Sequence, residues 1–315
     1  MNEYIYNMKK TILGSGIYNY DIIVVRDYPE WPRLRPFNDE NVVLEEVGGT
    51  CGNVMCMLAR MGWDARPLAR LDDSPEGLKM TESLKTFGCD CRHVTNSPSG
   101  GTTLLRCTHK KDKDGAHVVG FRAGSPGSRF PKRRFLRARD EAPAFLGALE
   151  DTPSVFFFDD PAAGNRRLAK GLKERGSLVW FEPSRVATNA ELASVAASDI
   201  VKFSDENVPD VSFAEAFGDK IFIQTLGAKG ARFKFRNLPW ETIESKKIGI
   251  PPGPVVDTEG AGDCFTATFL DTLAGKDGLT PDHVREACCA AMRRAAESVA
   301  YLGSKEYFHA HGKNK

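Results

Sequence analysis

The chain has 315 residues, 41% of them hydrophobic and 27% charged, and its 43 basic residues nearly balance its 42 acidic ones. This length accommodates one large domain or two smaller ones, and the near-neutral charge argues against a nucleic-acid-binding protein held by a general basic field. The longest apolar runs have the length of strands, so the sequence predicts neither a membrane-spanning helix nor a membrane partner. The polar N-terminus lacks the apolar segment of a secretory signal, and we expect a cytoplasmic protein.

The cysteines predict a reducing environment. All eight stand outside any C-x-x-C pair, and zinc sites ordinarily need paired ligand spacings. The one cluster of metal-ligand residue types, Cys89, Cys91 and His93, lacks a second pair. We therefore expect reduced, mostly buried thiols and no structural zinc.

Apolar strand-like runs alternate with amphipathic helical segments along most of the chain, which is typical of an α/β fold with a parallel sheet covered by helices. The predicted strands are 11–25, 65–70, 154–159, 177–182, 199–203 and 220–225. The predicted helices are 52–61, 75–87, 165–175, 189–197 and 280–302, the last with a Thr N-cap, a Pro in the first position and a small apolar face that we expect to pack in the core.

Two stretches interrupt the alternation, at 28–47 and 100–122. In the second, TTLLRCT and HVVGFR flank the polar turn KKDKDG, which predicts a hairpin. We expect a single domain over 1–315 in which these insertions form a small second sheet acting as a lid; ordinary surface loops are the alternative. Edge strands of such a sheet could pair with a second copy, so a homodimer stays open. The basic run at 130–139 predicts a solvated helix face.

Two glycine-containing segments near the N-terminus have polar side chains at regular positions. G-x-x-x-x-D occupies 16–21, directly after an apolar run, and GGTCGN at 48–53 precedes a predicted helix. Paired glycines let a ligand rest against bare backbone, and the amide of Asn53 can donate to and accept from a diol. The alternatives are a turn aspartate in the first segment and a plain glycine turn in the second.

A third glycine turn, TLGAKG at 225–230, follows a predicted strand. Its backbone N–H groups and the Thr225 hydroxyl could meet phosphates. The alternative is a plain hairpin turn joining IFIQT to ARFKF, and an exposed turn lysine is then the expected role of Lys229.

The most informative segment is DTEGAGD at 257–263, followed by a helical stripe of Phe265, Phe269 and Leu273. Glycines at a helix N-terminus expose amide groups at the positive end of the helix dipole, which favours an anion. The carboxylate of Asp263 in the first turn is held in its charged form and is available as a base. An N-cap aspartate on a glycine-rich turn is the structural alternative.

The pattern D-T-x-G-A-G-D is the signature of the ribokinase, or phosphofructokinase-B-like, family of carbohydrate kinases. Its six fixed residues would match a chain of this length by chance about once in 10⁵ sequences. The segments at 16–21, 48–53 and 225–230 resemble further family patterns in family order, whereas LDDSPEG at 71–77 matches only in part. The resemblance implies a three-layer α/β/α fold with a central, mostly parallel sheet and a small β lid.

The resemblance also implies an ATP-dependent kinase that phosphorylates a sugar hydroxyl. Asp263 would take the hydroxyl proton while the amides of Gly260, Ala261 and Gly262 stabilise the migrating phosphoryl group. Asn19, Asp21, Gly48, Gly49 and Asn53 would face the sugar. Ser204, Thr225, Gly227, Lys229 and Gly230 would face the nucleotide.

Metal binding is less well supported. Many family members carry N-x-x-E after the strand at 199–203, and this chain has Ser204 and Asn207 in those places. Mg²⁺ is therefore expected from the chemistry of ATP rather than from this motif. By analogy with the family, Asp257 and the backbone near Glu259 could border a monovalent cation such as K⁺.

The substrate is the least determined part of the hypothesis. Arg122, in a segment that resembles the lid of 2-keto-3-deoxygluconate kinases, could meet a substrate carboxylate. The segment KFSDE at 202–206 is similar to fructokinase-like members, so a neutral ketose such as fructose ranks above an acidic sugar, and a nucleoside ranks third. A non-catalytic sugar- or nucleotide-binding protein stays open because of the altered N-x-x-E segment.

Overall fold

The computed structural model describes residues 8–25, 42–111, 113, 117–250 and 253–311. Its strands are β1 (Thr11–Gly14), β2 (Asn19–Val25), β3 (Val42–Gly48), β4 (Asp64–Pro67), β5 (Ala69–Leu71), β6 (Val94–Asn96), β7 (Thr103–Lys111), β8 (His117–Gly124), β9 (Val155–Phe158), β10 (Leu178–Phe181), β11 (Ile200–Ser204), β12 (Ile221–Thr225), β13 (Gly230–Phe235) and β14 (Trp240–Glu244). Its helices are α1 (Thr50–Arg60), α2 (Pro75–Phe87), α3 (Glu141–Ala148), α4 (Ala163–Glu174), α5 (Asn189–Ala197), α6 (Ala261–Ala274), α7 (Pro281–Ser298) and α8 (Glu306–His311).

The main sheet has eight strands in the order β14-β13-β12-β11-β10-β9-β1-β4. Neighbours from β12 to β4 are parallel, and β13 and β14 are added antiparallel at one edge. Because the parallel strands end at the same edge, the loops that follow them converge on one side of the molecule.

Alternate residues of the central strands pack on opposite faces of the main sheet. In β9, Val155 and Phe157 join a buried cluster with side chains of α1, α6 and α7. Phe156 and Phe158 join a second cluster with side chains of α3, α4 and α5. A strand that is buried on both faces has a continuous apolar sequence, and for this reason VFFF could be predicted as a strand. The two cores establish the predicted three layers.

Two predicted strands each divide between different sheets. The strand predicted at 11–25 consists of β1 in the main sheet and β2 in a separate sheet, and between them the Ile17 N–H donates to Asp159 at 2.7 Å. The strand predicted at 65–70 divides into β4 and β5, and β5 pairs with β6. The strands on both sides of each break are largely buried, so burial alone does not show that they belong to different sheets.

A second sheet of four strands has the order β3-β2-β7-β8. The predicted hairpin is confirmed, since β7 and β8 pair antiparallel from Leu104 opposite Gly124 to Lys111 opposite His117. The first predicted insertion contributes β3, while its earlier part, up to residue 41, lies outside the described residues. β2, which was not assigned to an insertion, is a central strand of this sheet.

The basic segment at 130–139 does not form the predicted solvated helix. Between β8 and α3 the chain has no regular structure, and Leu136 is buried in the second core. Its carbonyl oxygen lies 1.7 Å from the place a side chain at Gly164 would occupy, so the segment packs directly on α4. Backbone contact of this kind requires glycine and cannot be read from the charge pattern.

Three other predictions concern single features. All eight cysteines are free, and Cys89, Cys91 and His93 do not form a group of metal-ligand atoms in the part of the chain that the structure describes. The Thr280 side chain caps α7, whose small apolar face is buried as predicted. None of the described helices combines the length and apolar character needed to cross a membrane.

Candidate active site

A cavity of about 400 Å³ lies between the second sheet and the N-termini of α1 and α6. The second sheet supplies apolar walls as well as polar groups, and the two helix termini supply backbone and carboxylates. Its lining residues are Ile17, Asn19, Asp21, Ile23, Gly49, Thr50, Asn53, Leu105, Phe121, Arg133, Glu259, Gly260, Asp263 and Ser304. Most of the residues predicted to face the sugar, and the predicted base, are therefore brought together although more than 200 residues separate them.

The glycine turn before α6 is tightly packed. Gly260 has φ 74°, in the left-handed region, and a Cβ there would lie 2.2 Å from the Cβ of Ser304. Only glycine fits this position. The Ala261 N–H donates to the Thr258 carbonyl at 3.3 Å, so this amide is partly engaged within the turn. Amides of the first helical turn have no intrahelical acceptor, and they point toward the end of the helix where Asp263 lies.

Asp263 is buried in the first turn of α6, and the Asn53 amide donates to its carboxylate at 2.7 Å. Burial and the nearby Glu182 raise the pKa of Asp263 to about 6, against the opposing effects of Lys202, Asn53 and Lys305. The carboxylate is therefore ionised at neutral pH but more basic than an exposed aspartate, which is the range in which a general base is effective.

The second sheet presents two unsatisfied acceptors to the cavity. Asn19 and Asp21 are buried, and in the described structure the Oδ1 atom of each has no hydrogen-bond partner. Burial and the carboxylates of Glu46 and Asp263 raise the pKa of Asp21 to about 7, while Lys305 lowers it. Buried acceptors without donors are costly unless a ligand supplies the donors. Gly48 lies directly behind Asp21, since a Cβ there would be 1.6 Å from the Asp21 Oδ2.

Asp159 joins two segments that border the cavity and was not identified from the sequence. Its carboxylate accepts from the Ile17 N–H at 2.7 Å and from the Cys51 N–H at 2.9 Å, so it joins the end of β1 to the start of α1. Burial raises its pKa to about 8. A usable signal was present, because Asp159 directly follows the buried strand β9 and the loops after parallel strands meet at one edge.

Asp257 has surroundings that suit a cation. Its buried carboxylate accepts from the Glu259 N–H and the Gly303 N–H, each at 2.9 Å. One potential cation-ligand atom from each of His109, Asp257 and Glu259 lies within 4.8 Å of the other two. Burial and the charge of Asp257 raise the pKa of Glu259 to about 7. The side chain of Glu259, rather than only its backbone, thus belongs to this cluster.

The predicted nucleotide residues form a separate group outside the cavity lining. Ser204 and Thr225 are paired in register at the ends of the adjacent parallel strands β11 and β12. The Asp205 N–H donates to the Thr225 carbonyl at 3.0 Å, and the segment from Gly227 to Gly230 is a tight turn between β12 and β13. The turn joins antiparallel strands, as in the hairpin considered as the alternative for this segment, and it lies at the same edge of the sheet as Ser204. Lys202 of β11 donates to the Gly262 carbonyl at 3.0 Å, which links this group to α6.

Arg122 lies outside the cavity. Phe121 lines the cavity, and successive residues of a strand point to opposite faces, so Arg122 is on the other face of the second sheet, beside Arg106. The cavity instead receives Arg133 from the basic segment at 130–139. Its side chain is exposed, and its charge acts on Asp160, whose pKa is raised by burial and lowered in part by Arg133.

A further buried charge, Lys305, was also missed. It directly precedes α8 and is fully buried beside Asn53. No motif marks it, because a lone lysine near the end of a chain is ordinarily exposed. Only the packing of the segment between α7 and α8 against α1 shows where it lies.

Comparisons with known proteins agree with this geometry. The model of the pfkB family of carbohydrate kinases matches residues 184–308. The fructokinase of Rhizobium leguminosarum bv. trifolii is 27% identical over 268 residues, which cover 79% of this chain and 78% of that protein. The fold is that of the fructokinase from Vibrio cholerae O395 in its fructose, ADP and calcium ion bound form (TM-score 0.68, 18% identity, 98% of this chain and 100% of that chain). It is equally that of the Arabidopsis thaliana ribokinase complexed with ribose and ATP (TM-score 0.66, 18% identity, 98% and 100%). The glycine turn and Asp263 lie within residues 184–308, the part of the chain that matches the pfkB family of carbohydrate kinases, and the sheet order is part of a fold shared with the fructokinase and ribokinase structures.

Proposed function

We propose that the protein is an ATP-dependent sugar kinase that transfers the γ-phosphoryl group to a hydroxyl of a fructose-like ketose. The observation that carries the proposal is the cavity in which Asp263, at the glycine-rich N-terminus of α6, lies with the unsatisfied acceptors of Asn19 and Asp21. Sugar hydroxyls are the donors that these acceptors need. The fructokinase relatives support a ketose in particular.

In this mechanism Asp263 accepts the proton of the attacking hydroxyl. The sugar oxygen then forms a bond to the γ-phosphorus as the bond between that phosphorus and the bridging β-phosphate oxygen breaks, and ADP leaves. The Asn53 amide, at 2.7 Å, holds the carboxylate of Asp263 in place. Positioning and charge stabilisation supply most of the acceleration in phosphoryl transfer, so a carboxylate with a pKa of about 6 is basic enough.

The first-turn amides of α6, with Gly260 and Gly262 lacking side chains, would receive the negative charge of the transferred group. ATP would extend from this turn along the ends of β11 and β12, with Ser204, Thr225 and the 227–230 turn beside its phosphates. The walls of the second sheet, acting as a lid, would exclude water from the transfer.

Two cations fit the residues present. Asp205 and Glu206 supply carboxylate oxygens at the end of β11, the ligand type that Mg²⁺ prefers, and Mg²⁺ would offset the phosphate charge when ATP is bound. Oxygens of Asp257 and the adjoining backbone suit a monovalent cation such as K⁺, which would lend positive charge to the loop before α6.

The proposal is tested by measuring ADP release from Mg-ATP with fructose, ribose, glucose, 2-keto-3-deoxygluconate and adenosine as acceptors. We expect fructose to give the highest kcat/KM. ATP binding without turnover of any of these acceptors would contradict the proposal and favour a non-catalytic binding protein.

An acidic-sugar kinase is a second candidate, and one observation favours it. Arg133 brings an exposed guanidinium to the cavity wall, where a substrate carboxylate would bind it in bidentate fashion. Arg122, on the opposite face of the second sheet, does not support this candidate.

Replacing Arg133 distinguishes the two substrates. If the substrate is acidic, Arg133→Ala should raise its KM about tenfold or more, because a charged hydrogen-bonded pair is lost, while leaving kcat nearly unchanged. For fructose the same variant should leave KM within about twofold. Arg122→Ala is the matched control and should leave KM unchanged for both. Unchanged KM for 2-keto-3-deoxygluconate in Arg133→Ala would exclude the acidic-sugar candidate.

A further inference from the structure

Lys305 is a fully buried ammonium group in direct contact with the residues around the catalytic base. Its Nζ lies 2.7 Å from the Asn53 Oδ1, 2.9 Å from the Ser304 Oγ and 2.8 Å from the Glu46 Oε1. An ammonium group has three N–H donors and no acceptor. Each donor therefore has its own acceptor, and the geometry of the group is determined.

The contact with Asn53 determines which way its amide faces. Because the ammonium only donates, the Asn53 atom beside it must be the carbonyl oxygen, and the Ser304 hydroxyl donates to the same atom at 3.0 Å. The amide nitrogen is consequently directed to the carboxylate of Asp263, at 2.7 Å. Rotation of the amide would place its N–H₂ group against the Lys305 ammonium, which burial makes costly.

The two orientations of Asn53 do not serve Asp263 equally. An Asn53 N–H₂ group that points to Asp263 stabilises the ionised carboxylate. An Asn53 carbonyl in the same place would stabilise the protonated acid by accepting its O–H. Lys305 thus selects, through Asn53, the form of Asp263 that takes a proton. Glu46, on β3 of the second sheet, balances the charge of Lys305 and joins this arrangement to the lid.

We propose that Lys305 is a positioning residue of the phosphoryl transfer, which holds the Asn53 amide in the orientation that keeps Asp263 ready to accept the substrate proton. The inference rests on the proposed function of Asp263 as the base. It assigns to Lys305 a role beyond neutralising Glu46, and it makes the segment after α7 part of the active site.

The other charges around Asp263 are distributed over several elements. Glu182 and Lys202 approach from β10 and β11, Asp21 from β2, and the Cys51 thiol from α1. Removing Lys305 leaves all of these in place. Any change in the titration of Asp263 can then be assigned to Lys305 and to the group through which it acts.

The test is a cycle of variants, Lys305→Met, Asn53→Leu and the two combined, followed by the ¹³C carboxyl NMR signal of Asp263 against pH. The signal is identified by its absence in Asp263→Asn. Lys305→Met should raise the titration midpoint by about one unit, from near 6 in the wild type. In the Asn53→Leu background only the direct Coulomb effect of Lys305 on Asp263 remains, so the same substitution should raise the midpoint by clearly less than it does when Asn53 is present.

The pH profile of kcat/KM provides the functional readout. A midpoint one unit higher lowers the ionised fraction of Asp263 about fivefold at pH 6 and by only a few per cent at pH 8.5. Lys305→Met should therefore lose about fivefold in kcat/KM at pH 6 and almost nothing at pH 8.5. A merely structural defect would lower activity at both pH values.

The double variant Lys305→Met with Glu46→Gln separates the positioning of Asn53 from the neutralisation of Glu46. It leaves no unpaired buried carboxylate, so it can replace Lys305→Met in the titration if that variant does not fold. We expect this pair to keep the raised midpoint relative to Glu46→Gln. The proposal is overturned if the midpoint does not move, if the pair has the same midpoint as Glu46→Gln alone, or if Lys305→Met shifts the midpoint equally with and without Asn53. The NMR titration needs no turnover, so an inactive wild-type protein would contradict the proposed function and leave this test decisive.

Discussion

Asp263→Asn is expected to lower kcat at least about 10³-fold, while the dissociation constants for ATP and sugar change little. The substitution keeps the size of the side chain and an oxygen that can accept from Asn53, so the arrangement at the start of α6 is retained. The asparagine amide cannot take up the hydroxyl proton, so the variant loses the function of the base. The measurement is steady-state ADP release together with calorimetric titration of ATP and of the sugar.

The same helix provides a matched control. Asp271 accepts from Lys10 at 2.7 Å and from Trp63 at 2.9 Å, and neither contact is near the cavity. Asp271→Asn should leave kcat unchanged. In the wild type, turnover should fall as the pH drops below about 6, since the base must be ionised and its pKa is raised to about 6. An Asp263→Asn variant with more than a tenth of wild-type kcat would remove Asp263 from the role of base.

Lys202→Met is expected to lower the free energy of unfolding by about 3–5 kcal/mol, because it leaves the buried Glu182 without its counter-ion. Glu182 and Lys202 are in direct contact beneath α6, and Glu182 also accepts from Thr266 at 2.7 Å and from Trp180 at 3.3 Å. Breaking one half of a buried ion pair is more damaging than replacing both halves. Urea denaturation measures the change.

Two further variants determine whether charge is the cause. Lys202→Met with Glu182→Leu should recover most of the lost stability, although Thr266 and Trp180 then lose an acceptor. Lys85→Met, which removes an exposed partner of Glu82, should leave the unfolding free energy nearly unchanged. If the double variant is no more stable than Lys202→Met, the loss comes from packing rather than from the unpaired carboxylate. Lys202 also donates to the Gly262 carbonyl, so we expect reduced kcat in both Lys202 variants.

Local sequence patterns predicted the secondary structure where an element depends mainly on neighbouring residues. The helix predicted at 75–87 is α2, which has Pro75 in its first position and Gly88, at φ 93°, directly after its end. The run at 155–158 indicated a strand buried on both faces. These features depend on backbone groups within a few residues, which is why they can be read directly.

The glycine turn before α6 and the pair of glycines before α1 were also recognisable from the sequence. Each occupies a backbone position that a side chain would disturb, as the contact between Gly260 and Ser304 shows. The roles expected for Asp263 and Asn53 came from the resemblance of these segments to ribokinase-family patterns, and the structure brings the two side chains together at 2.7 Å.

Only the tertiary structure decided which charges reach the cavity. The sequence does not distinguish Arg122 from Arg133 as a cavity residue. Strand alternation places Arg122 on the face of the second sheet opposite the cavity, and the non-helical segment before α3 places Arg133 in the cavity wall. Likewise β1 and β2 are close in sequence but belong to different sheets, and between them the Ile17 N–H donates to Asp159. Lys305 became part of the site through contacts with residues more than 250 positions away. Contacts over such separations depend on how the sheets and helices pack, and a local pattern carries no information about them.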